Sequence, residues 1–179
     1  LIKIAVLYLI QGQYQDAEML LQQGEGICKA ALGTAHPRYG EFLFYLAQVR
    51  GYQQKYDLAR ETLEEAITVF EAAFGENHPK VADKVSLLGF FLLSQEDYQE
   101  AEPLFEKLLG LAKEIYGEND HNICEYILFL AELHYANNNK DKADSLYLDA
   151  INIYKQEQEG RAIPNFSRGL VRLVELYKA

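Results

Sequence analysis

Ala17, Ala59, Ala101 and Ala143 recur at one interval of 42 residues, each inside the same kind of neighbourhood. Tyr14-Gln15-Asp16-Ala17-Glu18 is answered by Tyr56-Asp57-Leu58-Ala59-Arg60, Tyr98-Gln99-Glu100-Ala101-Glu102 and Lys140-Asp141-Lys142-Ala143-Asp144. A second marker keeps the same spacing: Gly33-Thr34-Ala35-His36-Pro37, Gly75-Glu76-Asn77-His78-Pro79 and Gly117-Glu118-Asn119-Asp120-His121. A fixed period of this length restricts the chain to stacked units that share one continuous core.

Within one period the pattern is that of two helices. Pro37 to Tyr52 carries Phe42, Leu43, Leu46 and Val49 at helical spacing, and Pro37 and Pro79 suit a first helical turn, where a missing N–H costs little. Gln53-Gln54-Lys55 makes a short turn. A second helix then runs from about Tyr56 to Phe74, with Leu58, Leu63, Ala66, Ile67 and Phe70 on its apolar side. Gly33, Gly75 and Gly117 follow the second helices, where a left-handed helix-ending residue is expected. Ala5, Ala47, Gly89 and Ala131 share one register of the first helix, and the period-marking alanines share one of the second. Small residues there let two backbones approach, with Leu21, Leu63, Phe105 and Tyr147 as the large side chains between them.

The expected fold is all-α, with helix-turn-helix units in a single array over 1–179. Its parts are a partial unit at 1–35, units at 36–77, 78–120 and 121–160, and the first helix of a fifth over 161–179. Pro103, several residues into its helix, predicts a local kink or a lost hydrogen bond. In the fourth unit Lys140 replaces the tyrosine, and the closing Gly160 is displaced by one position. The apolar start, Leu1 to Ile10, is too short to span a bilayer and aligns with the later first helices. A chain that opens inside a helix, without Met, suggests a window cut from a longer protein, which leaves room for a targeting signal outside it.

A formal charge of −10 argues against nucleic acid and against an anionic membrane surface, both of which need a basic footprint. Cys28 and Cys124 stand far apart without a CxxC pair or a spaced histidine partner, so reduced thiols in the cytoplasm are expected rather than a disulfide or zinc site. His36 and His78 belong to the loop signature, and His121 and His134 share no helix face with two further ligands. No phosphate-binding glycine loop, metalloprotease motif or nucleophile elbow is present. The expectation is a chain without catalysis, metal or cofactor.

The run Leu7-Tyr8-Leu9-Ile10-Gln11-Gly12-Gln13-Tyr14-Gln15-Asp16-Ala17-Glu18, followed by Leu32-Gly33-Thr34-Ala35-His36-Pro37, resembles the tetratricopeptide repeat in the longer form found in kinesin light chains. The resemblance covers almost the whole chain. It implies a right-handed α-solenoid superhelix whose first helices line a concave groove that holds a partner's peptide. In kinesin light chains a repeated Asn-Asn bonds the cargo backbone; here those places hold Phe44-Tyr45, Ser86-Leu87 and Leu128-Phe129. At the asparagine position of relatives that clamp a C-terminal carboxylate stand Val6, Gln48, Phe90 and Glu132. Neither of those binding modes is supported by these residues.

Glu41, Asp83 and Glu125 occupy one register of successive first helices, which the resemblance places toward the groove, with Glu132 nearby. Beside Phe44, Gln48, Ser86, Phe90, Leu128 and Tyr135, such carboxylates suit a protein or peptide partner carrying Lys or Arg among apolar residues. The competing reading is a solvated acidic face near helix N-termini. The leading expectation is therefore a protein-interaction scaffold. The alternatives are a regulatory or sensor module of a larger effector enzyme, and self-association through open array ends.

Overall fold

The computed structural model describes residues 1–157. Among them the chain forms eight α-helices: α1 (Ile2–Ile10), α2 (Tyr14–Leu32), α3 (Pro37–Tyr52), α4 (Tyr56–Phe74), α5 (Pro79–Ser94), α6 (Tyr98–Tyr116), α7 (Cys124–Ala136) and α8 (Lys140–Glu157). A 3₁₀ turn, His121–Ile123, leads into α7. No strand occurs among the described residues. The expected closing Gly160 and the fifth-unit helix lie outside them. The chain divides into two compact units, Leu1–Gln95 with α1 to α5 and Glu96–Ala179 with α6 to α8.

The expected helix pair is found at the expected ends: α3 and α4 begin and stop where the apolar spacing and the Gln53-Gln54-Lys55 turn predict. Two devices set those ends. Pro37 and Pro79 open α3 and α5, and the Nδ1 atoms of His36 and His78 each accept a hydrogen bond from the backbone N–H two residues on, at 3.1 Å. The loop histidines thus act as N-caps, covering one of the donors a helix start leaves open. In the second unit Asp120 takes that register and accepts from the Asn122 N–H at 2.8 Å.

The helix-ending glycines depart from expectation. Gly33, Gly75 and Gly117 have positive φ, but with ψ of 170°, 151° and 161° they lie outside the left-handed helical region. That extended, positive-φ backbone is open essentially to glycine alone, and it turns the chain straight into the next loop. The short turns that precede α2, α4, α6 and α8 hold a different positive-φ position, occupied by Gly12, Gln54, Glu96 and Asn138. Helix α6 runs through Pro103 to Tyr116, although the proline supplies no N–H to the turn behind it.

Burial follows the repeat. Ala17, Ala59, Ala101 and Ala143 are each fully enclosed, as are Leu63, Phe105 and Tyr147, with Leu21 at 1% exposure. The small residues of the first helices, Ala5, Ala47, Gly89 and Ala131, are also buried. Enclosing a side chain the size of Leu63 contributes about 1.5–3 kcal/mol. Small and large residues of the repeat are thus both enclosed, and Ala131, Ala143 and Tyr147 form one buried cluster.

Candidate partner-binding site

In the first unit, α3 carries Glu41, Phe44 and Gln48, and α5 carries Asp83, Ser86 and Phe90. Glu41 is open to solvent and ion-paired with Arg38 at 3.5 Å, one helical turn away. Asp83 is more open still, 74% exposed at the side chain. Phe44 meets Tyr45 edge-on at 5.4 Å, and Gln48 is half-buried. Ser86 donates its hydroxyl to the Ala82 carbonyl at 2.9 Å, a local bond that occupies its proton. Phe90 stands 39% exposed.

A lysine that the sequence reading passed over joins several of these groups. Lys84, next to Asp83, lays its ammonium 4.4 Å from the Phe44 ring centre and 4.8 Å from that of Phe70 on α4. Its Nζ is 3.8 Å from Asp83 Oδ2, and only 12% of the side chain is exposed. Burial pushes the ammonium below its ordinary pKa, while the Asp83 and Glu41 carboxylates oppose that shift and Lys80 adds to it. Phe70 reaches this place because Gly40 has no side chain: a Cβ there would come within 2.9 Å of the Phe70 ring and 3.2 Å of Val69. Phe70 stacks on Phe74 at 5.9 Å, and Lys80 lies 4.5 Å over Phe74. Two lysines one turn apart on α5 therefore sit on two phenylalanines one turn apart on α4. The signal was present in the sequence, because the register that holds Phe42 and Tyr126 in the neighbouring repeats holds a lysine here.

The second unit carries Glu125, Leu128, Glu132 and Tyr135, all on α7. Glu125 is exposed and Glu132 half-buried. Leu128 and Tyr135 are partly committed to the core, packing against the buried group of Ala131, Ala143 and Tyr147.

Each unit also contains a part-buried carboxylate contact missed at the sequence level. In the first, Glu18 on α2 accepts from Arg50 Nε at 3.4 Å and from Lys55 Nζ at 3.1 Å, and Arg50 also donates to the Thr62 hydroxyl. Burial opposes ionisation of Glu18, but bonds from Gln53, Lys55 and Arg50 outweigh it and hold the carboxyl below the usual range. Two repeat lengths on, Glu102 replaces Glu18 and His134 replaces Arg50. His134 Nε2 lies 3.4 Å from Glu102 Oε1, and Lys142 Nζ donates to the same oxygen at 2.9 Å. Burial and the Lys142 charge press His134 below its ordinary pKa against the pull of Glu102 and Glu106. The Lys142 bond is the main cause that keeps Glu102 low.

These contacts tie a second helix to the following first helix. Cys28 and Cys124 are both buried free thiols; burial raises the Cys28 pKa and so keeps it from the reactive thiolate form. Among the described residues no three His, Cys, Asp or Glu side chains gather as a metal would require. No described helix is long and apolar enough to cross a membrane.

Comparison with known proteins agrees with this geometry. The family model described as "Tetratricopeptide repeat" matches residues 1–72 and 84–156. Among solved structures, BtubC (BKLC) from P. vanneervenii is similar with a TM-score of 0.79 at 19% identity, over 90% of this chain and 65% of that one. The present chain thus spans under two thirds of that relative. The putative kinesin light chain repeats of Podosopora anserina are similar with a TM-score of 0.78 at 22% identity, over 88% of this chain and 75% of that one. A point variant of those repeats gives the same score and identity over 74% of its length. No curated protein matches the sequence.

Proposed function

Because this chain belongs to the tetratricopeptide repeat family, whose repeats mediate protein–protein interaction and are typically non-catalytic, we propose that it is a scaffold that holds a segment of a partner protein on its first helices. The partner segment carries Lys or Arg among apolar residues. One observation carries this reading: on α3 and α5 the exposed carboxylates of Glu41 and Asp83 stand beside an aromatic side chain, Phe44, whose ring already holds a cation. The second unit offers Glu125 on α7 in the same register. Single exposed charge contacts are worth about 0.2–1 kcal/mol, so affinity comes from several together with the burial of apolar groups.

The test is an array of immobilised peptides of graded charge, probed with the chain. Capture concentrates on peptides that mix basic and apolar residues, and it weakens in 1 M salt, where the screening length shrinks to roughly 3 Å. Replacing Glu41, Asp83 and Glu125 by lysine transfers capture to acidic peptides while the helical circular dichroism stays intact. Capture indifferent to peptide charge, or unchanged by the triple reversal, removes the reading.

A further inference from the structure

Lys84 is a charged group at a register that its neighbouring repeats fill with an aromatic ring. Its ammonium rests on two aromatic faces and beside one carboxylate, yet that oxygen is 3.8 Å away, beyond hydrogen-bonding distance. Among the described residues no acceptor bonds to it. The group has therefore exchanged much of its water for ring faces and an ion pair without a hydrogen bond, contacts that must offset the cost of its burial. Its four-carbon stem is flexible, so the ammonium is not fixed in place by its own geometry as a guanidinium fork would be. What it would leave behind is a gap between Phe44 and Phe70, with Asp83 at the rim and Glu41 close enough to be felt.

We propose that this gap is a seat for a partner's arginine, filled by the chain's own Lys84 until the partner displaces it. The inference rests on the binding function proposed above and specifies its central contact. A guanidinium is the better occupant. It is planar, stacks on phenyl faces, is more weakly hydrated than an ammonium, and presents a fork of donors to Asp83. The exchange is cation for cation, so the carboxylates are never left without a counter-charge. Lys84 also sets a threshold: a segment that brings only apolar residues does not remove it.

The experiment measures binding of a dye-labelled peptide of alternating Leu and Arg by fluorescence anisotropy, to the parent, Lys84→Ala and Lys84→Met. Both substitutions remove one positive charge, but alanine empties the seat and methionine fills it. Lys84→Ala is expected to bind about tenfold more tightly than the parent, and Lys84→Met to gain far less. Equal gains in both variants would mean that only the local field had changed, and the seat is then refuted. It is equally refuted if Lys84→Ala gains nothing. Salt-sensitive binding to the parent without an alanine gain leaves the scaffold reading standing and sinks the seat alone; no binding to any form sinks both. Should Lys84→Ala fail to fold, the parent decides by NMR. The Phe70 ring resonances move on saturation with peptide if arginine replaces Lys84, and a peptide that binds while leaving them in place overturns the proposal.

Discussion

Two glycines two residues apart on α2 should respond oppositely to the same substitution. Gly24 is buried, and a Cβ built there falls on Cε1 of Phe42, with Cζ at 2.7 Å and Cδ1 at 3.1 Å. A Cβ at Gly26 meets nothing within 4 Å. Helix propensity alone favours alanine over glycine by about 0.8–1.0 kcal/mol at either place. At Gly26 that gain is kept, and Gly26→Ala should stabilise by about 0.5–1 kcal/mol. At Gly24 the ring must retreat, but Phe42 is itself only 8% exposed and enclosed by α3 and its neighbours. Overpacking of this kind costs about 1–3 kcal/mol. The clash wins, and Gly24→Ala should destabilise by about 1 kcal/mol, putting the two variants roughly 2 kcal/mol apart. Urea unfolding followed by circular dichroism reads this as midpoints that move in opposite directions at constant slope. A second arm isolates the cause: in a Phe42→Leu background the Gly24→Ala penalty should vanish, giving a coupling of about 1–2 kcal/mol in the double-mutant cycle. If Gly24→Ala raises the midpoint as much as Gly26→Ala does, the close approach of α2 to the Phe42 ring is wrong.

Three further outcomes follow from the same packing. Ala101→Leu forces a larger side chain into a fully enclosed position and should lower stability by about 1–3 kcal/mol, visible as a reduced urea midpoint. His78→Ala removes the side-chain cap of α5 and should cost about 0.5–2 kcal/mol, while His78→Asn, which can accept the same Lys80 N–H, should recover most of it. The burial of His134, with the Lys142 charge beside it, makes stability depend on pH. His134 has a folded-state pKa below its ordinary 6.5, so its contribution is whole above that value and is lost as pH falls through the lowered folded value, because the unfolded chain takes up the proton first. Glu102, lowered from 4.5, adds a second loss below that pH. Urea midpoints measured from pH 7.5 to 4 should fall within this window. His134→Gln should flatten the upper part of the decline, and an unaltered profile in that variant would show that His134 is not the group responsible.

The sequence by itself determined the helix pairs, because period, apolar spacing and helix ends are properties of a few adjacent residues. Pro37 opens α3, Gly75 follows α4, and the alanines mark where backbones close up. It also placed Glu41 and Asp83 on exposed first-helix surface, since one register recurs with the repeat. The backbone chosen by Gly33, Gly75 and Gly117 was legible only as a need for glycine. Whether ψ turns toward the helical or the extended side depends on the loop that His36, His78 or Asp120 closes with its cap. The electrostatic contacts belonged to tertiary structure alone. Glu18 finds Arg50 across 32 positions, and Glu102 finds His134 and Lys142, through side chains from different helices. Lys84 is the mixed case. The sequence marks it as a cation in a register that holds Phe42 and Tyr126 in the neighbouring repeats, but not what it meets there. Only the packing of α3, α4 and α5 brings the Phe44 and Phe70 rings to it, and does so through the missing side chain of Gly40. A local pattern dictates which face of a helix is apolar, but which ring a given charge meets depends on how closely that helix approaches its neighbours.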